Sequence, residues 1–344
     1  MRRVKISLCL HISLSYGGGG EKWAWTVARY LKERGYNVEV RTLPYVPHGR
    51  RVVDPAKVLG DIPYYEAWMH TVDADIAYVF YNPFAYIFFK CTRNCIRIAG
   101  MHSNVYFLSR TPPVTYGIPA VAARLLYKVI GLADLSLYDV VHVVNKAIRV
   151  RHPRVLYVPL FVDTNTCKPL AKKRDKFTVL FVGRPSWQKG WDIFVQVAKT
   201  LKKRGVDVEF LCAGCTTHDS FIQGLGYIDS DRELAKVYSS AHITLHPSRS
   251  DTFGLVILES LACGTPVITT PIETHTSLEL PLIHSSTVKE FLKKVLEVKK
   301  LYEKRPEDYQ RLADMGRKAV EERYDVKKVL QKFEGMIVSL AVKP

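Results

Sequence analysis

Residues 241–270 read AHITLHPSRSDTFGLVILESLACGTPVITT, and this run leaves few folds open. An apolar strand-like stretch, AHITL, closes in turn and cap residue types: Pro247, Ser248, Ser250, Asp251 and Thr252. A helix is expected from about Phe253, apolar on most sides through Leu255, Val256, Leu258, Leu261 and Ala262, and ended by Gly264 and Pro266. A second apolar strand, VITT, follows at once. Strand, turn, buried helix and strand in close succession form a parallel crossover unit, and similar alternation along the whole chain predicts an α/β protein with parallel sheets.

The helix start is also a candidate binding site. The N–H groups of Gly254 and Leu255 lack intrahelical partners and sit at the positive end of the helix dipole, which suits a phosphate. At about 1.5 Å rise per residue, Glu259 lies roughly 7 to 8 Å further on, about the step from a nucleotide's diphosphate to its ribose. The plainer reading is a surface helix with a capping Asp and a salt-bridged Glu. A carboxylate in so apolar a helix is costly without a partner, which favours a role. A second segment points the same way. The apolar strand KFTVLFVG (176–183) runs into Arg184-Pro-Ser-Trp-Gln-Lys189-Gly190-Trp191-Asp192. Arg184 and Lys189 thus stand after a strand and before a helix, where open α/β sheets bind ligands, and two cations suit a diphosphate.

These pieces resemble the retaining GT-B glycosyltransferases, specifically glycosyltransferase family 4. The matching segments are FVGRPSWQKGWDIFVQVAKTL (181–201), ELAKVYSSAHITLHPSRSDTFGLVILESLACGTPVITT (233–270) and GGGGEKWAWTVARYLKERGYNVEV (17–40). VLYVPLFVDTNTCKP (155–169) resembles the family's domain-joining segment. The resemblance implies GT-B architecture: two Rossmann-like domains with parallel sheets facing a central cleft. It implies transfer of a sugar from a nucleotide-sugar, such as a UDP- or GDP-sugar, with retention of configuration, without a cofactor and usually without a metal. Arg184 and Lys189 would neutralise the leaving diphosphate, and Glu259 would hold the ribose. Asp251, with the backbone at Phe253, Gly254 and Leu255, would hold donor sugar and phosphate. The sequence departs from the family in two places. Asp251 stands where the acid-x7-acid motif normally begins with Glu, and PIETHTSLELPLIHSS (271–286) replaces the usual Pro-Glu and Gly-rich loop.

A chain of 344 residues suits two domains, with 47% hydrophobic and 24% charged residues typical of a globular protein. The expected division is 1–167 on the acceptor side, a linker at 168–176, a donor domain at 177–320, and a last segment, 321–344, whose helix crosses back to the first domain. No secretory or spanning segment is expected. The stretch IAYVFYNPFAYIFF (76–89) reads as strand, turn and helix start. Seven cysteines without framework spacing point to a reducing, cytoplasmic setting, and Cys212 and Cys215 read as packing residues at the end of a strand.

The net charge of +17 calls for an anionic partner. Lysines alternate with apolar residues at helical spacing in KEFLKKVLEVKKLYEKR (289–305) and YDVKKVLQKF (324–333). Aromatic residues form no stacking platform, so nucleic acid is not expected. The expected partners are a nucleotide-sugar donor, a lipid-linked or glycan acceptor, and an anionic membrane surface to which the protein attaches peripherally on its inner face.

In the four-glycine run Gly17–Gly20, Gly18 and Gly19 are expected to line the cleft, before a helix starting near Glu21. By the resemblance His102, after the short strand RIAG, would approach the donor sugar, although a lone His is more often a cap or core residue. His11 and Asn145 also end strands, with a weaker claim. The triplets Asp73-Ala-Asp75 and Asp229-Ser-Asp231 raise the metal-dependent GT-A class, but the first sits at the amino end of a strand and the second begins a helix with Ser230 as cap. A non-catalytic binder of a phosphorylated ligand and a GT-B-like epimerase remain open alternatives.

Overall fold

A computed structural model of the chain describes residues 4–46, 53–82, 84–92, 94–102, 133–217 and 219–341. Two compact units emerge: the residues through Leu160 with those from Leu330 onward, and Phe161–Val329.

The first unit contains β1 (Lys5–Leu10), β2 (Asn37–Thr42), β3 (Tyr64–Glu66), β4 (His70–Val72), β5 (Ile76–Phe80), β6 (Phe89–Cys91), β7 (Ile96–Met101), β8 (Val140–Val143) and β9 (Val155–Tyr157). Seven of them form one sheet in the order β3-β2-β1-β5-β7-β8-β9, while β4 pairs with β6. Every pairing is parallel. Central strands are buried along their length, Ile76–Phe80 throughout, as a sheet covered on both faces requires. The helix Gly19–Glu33 follows β1 and buries Trp23, Ala24, Val27, Ala28 and Leu31. From Leu330 the helix Val326–Ala341 belongs to this unit: Phe333 meets Trp23 edge-on at 5.2 Å, and Glu334 accepts from Tyr30 Oη at 2.8 Å.

The second unit contains β10 (Thr178–Val182), β11 (Glu209–Ala213), β12 (Gln223–Gly224), β13 (Ile243–His246), β14 (Val267–Thr269) and β15 (Ile283–His284), in the order β12-β11-β10-β13-β14-β15 and again all parallel. Phe177, Val179, Phe181, Phe194, Val197, Phe210 and Phe291 form its core. The strand order reverses between β10 and β13, so the loops after these strands flank a topological switch point, the usual ligand position in open α/β sheets.

Three expectations change. Segment 168–176 is no free linker but part of the second unit, since the half-buried Lys173 donates from Nζ to Ala241 O at 2.6 Å and to Thr265 Oγ1 at 2.9 Å. Cys212 and Cys215 are joined as a disulfide rather than packed as free thiols. The first helix starts at Gly19, two residues before the expected Glu21, with Gly18 as its cap residue. Among the described residues no helix is long and apolar enough to cross a membrane.

Candidate functional site

The site in the second unit is built by two loops at the switch point. After β10 the chain makes a short 3-10 turn, Trp187–Lys189, in which Ser186 Oγ accepts from Lys189 N at 3.3 Å, and then enters the helix Trp191–Lys203 through Gly190. Gly190 has φ +72°, and a Cβ there would fall 2.0 Å from Pro247 O, so only glycine lets the two loops approach this closely. They are then tied together. Arg249 N donates to Gln188 O at 2.8 Å, and the Arg249 guanidinium makes paired 2.7 Å bonds to Asp192 while lying 4.5 Å over the Trp187 ring. The Arg249 fork holds the Asp192 carboxyl below its ordinary range, against its partial burial.

This junction brings Lys189 to Asp251. Lys189 Nζ lies 3.1 and 3.0 Å from the two carboxylate oxygens. His246, the last residue of β13, is 2.9 Å from Asp251 Oδ2 through Nε2, which must carry the proton because a carboxylate only accepts. Burial pushes the Asp251 carboxyl up, but the Lys189 ammonium and the His246 bond outweigh it and hold the group well below the usual carboxylate range. Burial pushes His246 down to about 4 despite its bond to Asp251, so near neutral pH this ring is uncharged.

His275 completes the cluster from the segment 271–286. Its Nδ1 faces Thr269 Oγ1 at 2.9 Å and Thr270 O at 3.1 Å, while Thr269 Oγ1 spends its own proton on His246 O at 2.8 Å. Nδ1 is therefore the protonated nitrogen, and the fully buried Nε2, 3.8 Å from Asp251 Oδ2, has no hydrogen-bond partner among the described residues. His246, Asp251 and His275 offer ligand atoms within 4.8 Å of one another. The Lys189 ammonium already supplies a positive charge to that carboxylate, which makes a divalent ion there a competitor of Lys189 rather than a complement.

The helix Leu255–Ala262 begins just beyond, preceded by Gly254 at φ +91°. It starts two residues later than expected because Phe253 is an anchor, buried at 2% exposure and edge-on to Tyr324 at 5.8 Å. The N–H groups of Gly254 and Leu255 still lack intrahelical acceptors at this start, and that of Val256 joins them. One and a half turns on, Glu259 is half-buried and accepts from Tyr238 Oη at 2.8 Å. Arg184 is exposed on the loop after β10. Of the expected residues, Lys189 and Asp251 are paired directly, Gly254 and Leu255 open the helix that bears Glu259, and Arg184 stands at the start of the Lys189 loop.

In the first unit, His102 follows β7 and His11 follows β1 at the carboxyl edge of the sheet. His11 Nδ1 is bonded to Phe80 O at 3.1 Å, and Asn145 Oδ1 accepts from Ala147 N at 2.8 Å, a local turn cap. Gly18 and Gly19 lie exposed at the start of the first helix. The Glu21 carboxylate, buried and raised in pKa by that burial, accepts from the backbone N–H groups of Gly18 and Glu21. Glu21, His246 and His275 escape sequence reasoning. The only signal was an acid in a first helical turn and a His at a strand end. Both acidic triplets prove structural: Asp75 Oδ2 accepts from Lys5 N at 2.8 Å, and Ser230 Oγ accepts from Glu233 N at 3.3 Å.

Residues 176–299 match the family described as Glycosyl transferases group 1. Among similar proteins, the D-inositol 3-phosphate glycosyltransferase of Paenarthrobacter aurescens is 38% identical over 112 residues, 28% of either chain. The Phosphatidylinositol N-acetylglucosaminyltransferase gpi3 subunit of Schizosaccharomyces pombe is 24% identical over 298 residues, covering 74% of this chain and 63% of that one. Several of the matched curated relatives are thus covered over only about a third of their length, as with the 32% of the Arthrobacter protein. In structure, a glycosyltransferase from Rickettsia africae superposes with a TM-score of 0.75 at 16% identity over 100% of both chains, and Anabaena HepE in complex with UDP-glucose with 0.71 at 14% identity over 98% and 100%. The chain has the GT-B fold, and the match to the family model falls within its second unit.

Proposed function

We propose that this protein is a retaining, metal-independent glycosyltransferase of the family 4 type, moving a sugar from a nucleotide-sugar to a lipid-linked or glycan acceptor. The observation that carries the reading is the Lys189–Asp251 pair, 3.0 Å apart between loops that Gly190 and Arg249 lock together, directly before the helix that bears Glu259. The nucleotide's diphosphate binds between Arg184, Lys189 and the first-turn N–H groups, and its ribose hydroxyls bind Glu259. A diphosphate competes with Asp251 for Lys189. As the ammonium turns to the phosphate, the acid is released to accept a sugar hydroxyl. Lys189 and Arg184 then stabilise the charge that grows on the diphosphate as the glycosidic bond breaks.

The names of the matched relatives support a nucleotide donor and an inositol-type or lipid acceptor: they include a GDP-mannose-dependent alpha-(1-6)-phosphatidylinositol dimannoside mannosyltransferase, 33% identical over 138 residues. HepE has been solved with UDP and with UDP-glucose. A thermal-shift screen with UDP, GDP and ADP, followed by incubation with the corresponding nucleotide-sugars, tests the reading. Stabilisation by one base and release of its diphosphate support it. Stabilisation without turnover of any donor supports a binding protein instead.

A further inference from the structure

His275 stands in the short helix Glu273–Thr276, beyond the end of β14, with its side chain fully buried. The ring packs against the backbone of Gly254, where a Cβ would fall 3.4 Å from His275 Cδ2 and 3.5 Å from Nε2. Its Nδ1–H is spent on Thr269 Oγ1 and Thr270 O. The bare Nε2 therefore faces a carboxylate oxygen, Asp251 Oδ2, at 3.8 Å, and His246 Nε2 approaches that same oxygen at 2.9 Å. A lone pair set against a carboxylate in a buried site is repelled by it. A cation between the two turns that repulsion into two bonds.

The donor set suits a transition ion. Imidazole and carboxylate bind zinc at about 2.0 to 2.2 Å, which puts tetrahedral ligand atoms about 3.3 Å from one another. The spacings of 2.9 and 3.8 Å bracket that value, and the three ligand atoms lie within 4.8 Å of one another, so small side-chain rotations close the cage. Thr269 and Thr270 hold the far side of the His275 ring, as the outer partners of a metal-bound histidine do. Lys189, 29% exposed beside Asp251, marks the side from which an ion enters.

We propose that His246, Asp251 and His275 form a site for a divalent transition ion of the zinc type, and that the ion drives Lys189 off Asp251 and so shuts the donor site. Asp251 binds as the carboxylate it already is, His275 through its bare Nε2, and His246 once its proton has moved from Nε2 to Nδ1. Three protein ligands leave a fourth position for water. The Lys189 ammonium, 3.0 Å from Asp251 Oδ2, is repelled by the arriving dication, so ion and ammonium exclude each other. All four residues belong to the second unit. The inhibition rests on the glycosyltransferase reading above, but the site does not.

The test is the visible absorption spectrum of the tag-free, metal-stripped protein titrated with Co2+ alone, followed by displacement with Zn2+. One equivalent of four-coordinate cobalt without a thiolate charge-transfer band is expected. In His275→Gln binding is expected to weaken about a hundredfold. In Lys189→Ala it is expected to tighten about tenfold, a gain that a merely structural role for Lys189 would not produce. A spectrum with thiolate character, no binding at one equivalent, full binding in His275→Gln, or weaker binding in Lys189→Ala overturns the site. Should His275→Gln fail to fold, the wild-type and Lys189→Ala titrations still decide it. Transfer by the wild-type protein is expected to fall as zinc fills the site, and full activity with the site saturated overturns the exclusion of Lys189. If no donor is turned over at all, the spectra stand, and that result counts against the transferase reading alone.

Discussion

The Lys189 ammonium lies 3.1 and 3.0 Å from the two carboxylate oxygens of Asp251, although 62 positions separate the residues in sequence. Each belongs to a loop at the carboxyl end of a neighbouring strand, β10 and β13, so the sheet order rather than any local motif brings them together. Removing the cation leaves the carboxylate largely buried beside two histidines. Because Lys189 remains 29% exposed, the loss in Lys189→Ala is expected to be about 1 to 3 kcal/mol rather than the full cost of a broken buried pair. Turnover is expected to fall more than donor affinity, because the charge on the diphosphate grows toward the transition state. A Lys189→Ala protein with unchanged kcat and raised KM would make Lys189 a binding residue only.

Glu259 is expected to anchor the ribose. Charge-assisted hydrogen bonds contribute about 1.5 to 3 kcal/mol, so Glu259→Ala is expected to weaken nucleoside diphosphate binding roughly ten- to a hundredfold. Since Tyr238 Oη donates to this carboxylate, Glu259→Gln, which keeps an acceptor, serves as the folded companion. Calorimetry showing wild-type affinity in both variants would remove Glu259 from the site.

Stability is expected to fall as the solution is acidified from pH 7. His142 and His246 both drop from 6.5 to about 4 on folding because they are buried. Between these values the unfolded chain binds protons that the folded chain refuses, so stability is lost as pH falls through this window, by up to roughly 3 kcal/mol per group. Asp251 acts in the same direction at lower pH: its folded value lies below 3.8, so its contribution is present above that value and is lost beneath it. Thermal melts from pH 7 to 4.5 check the sign, and a Tm that stays level over that range contradicts it.

Lys289, Lys293, Lys300 and Lys304 lie exposed on the helix Val288–Lys304, whose opposite face buries Phe291, Leu292, Val295 and Val298. With a net charge of +17, attachment to anionic vesicles is expected at low salt and release at high salt, each cation near the surface contributing about 1 kcal/mol. Co-sedimentation with phosphatidylserine-containing liposomes reads this directly. Protein left in the supernatant at low salt favours a soluble glycan acceptor.

The second unit was largely legible in the sequence because its chemistry is local. Strand, turn and helix follow one another within 176–192 and 241–270, so the sequence places each loop at a strand end, while the meeting of Lys189 with Asp251 comes from the sheet order. What escaped depends on contacts distant in sequence. His275 reaches Asp251 from a segment with no recognisable pattern, and nothing local shows that Thr269 fixes its tautomer. Phe253 looked like part of a helix start, but its burial against Tyr324 delays the helix to Leu255. The glycine run pointed to a helix start near Glu21, but nothing local showed that the Glu21 carboxylate accepts from the backbone of Gly18. The basic stretch 168–176 resembled a linker because it is polar, yet Lys173 is held by carbonyl oxygens of the second unit.

Glycosyl transfer with retention is read out by proton NMR of the product formed from the donor that stabilises the protein. Release of the nucleoside diphosphate and a new glycosidic bond with the donor's own anomeric configuration are expected, both strongly reduced in Lys189→Ala. A product of inverted configuration, or tight nucleotide binding with no transfer to phosphatidylinositol, polyprenyl phosphate or glycan acceptors, would contradict it.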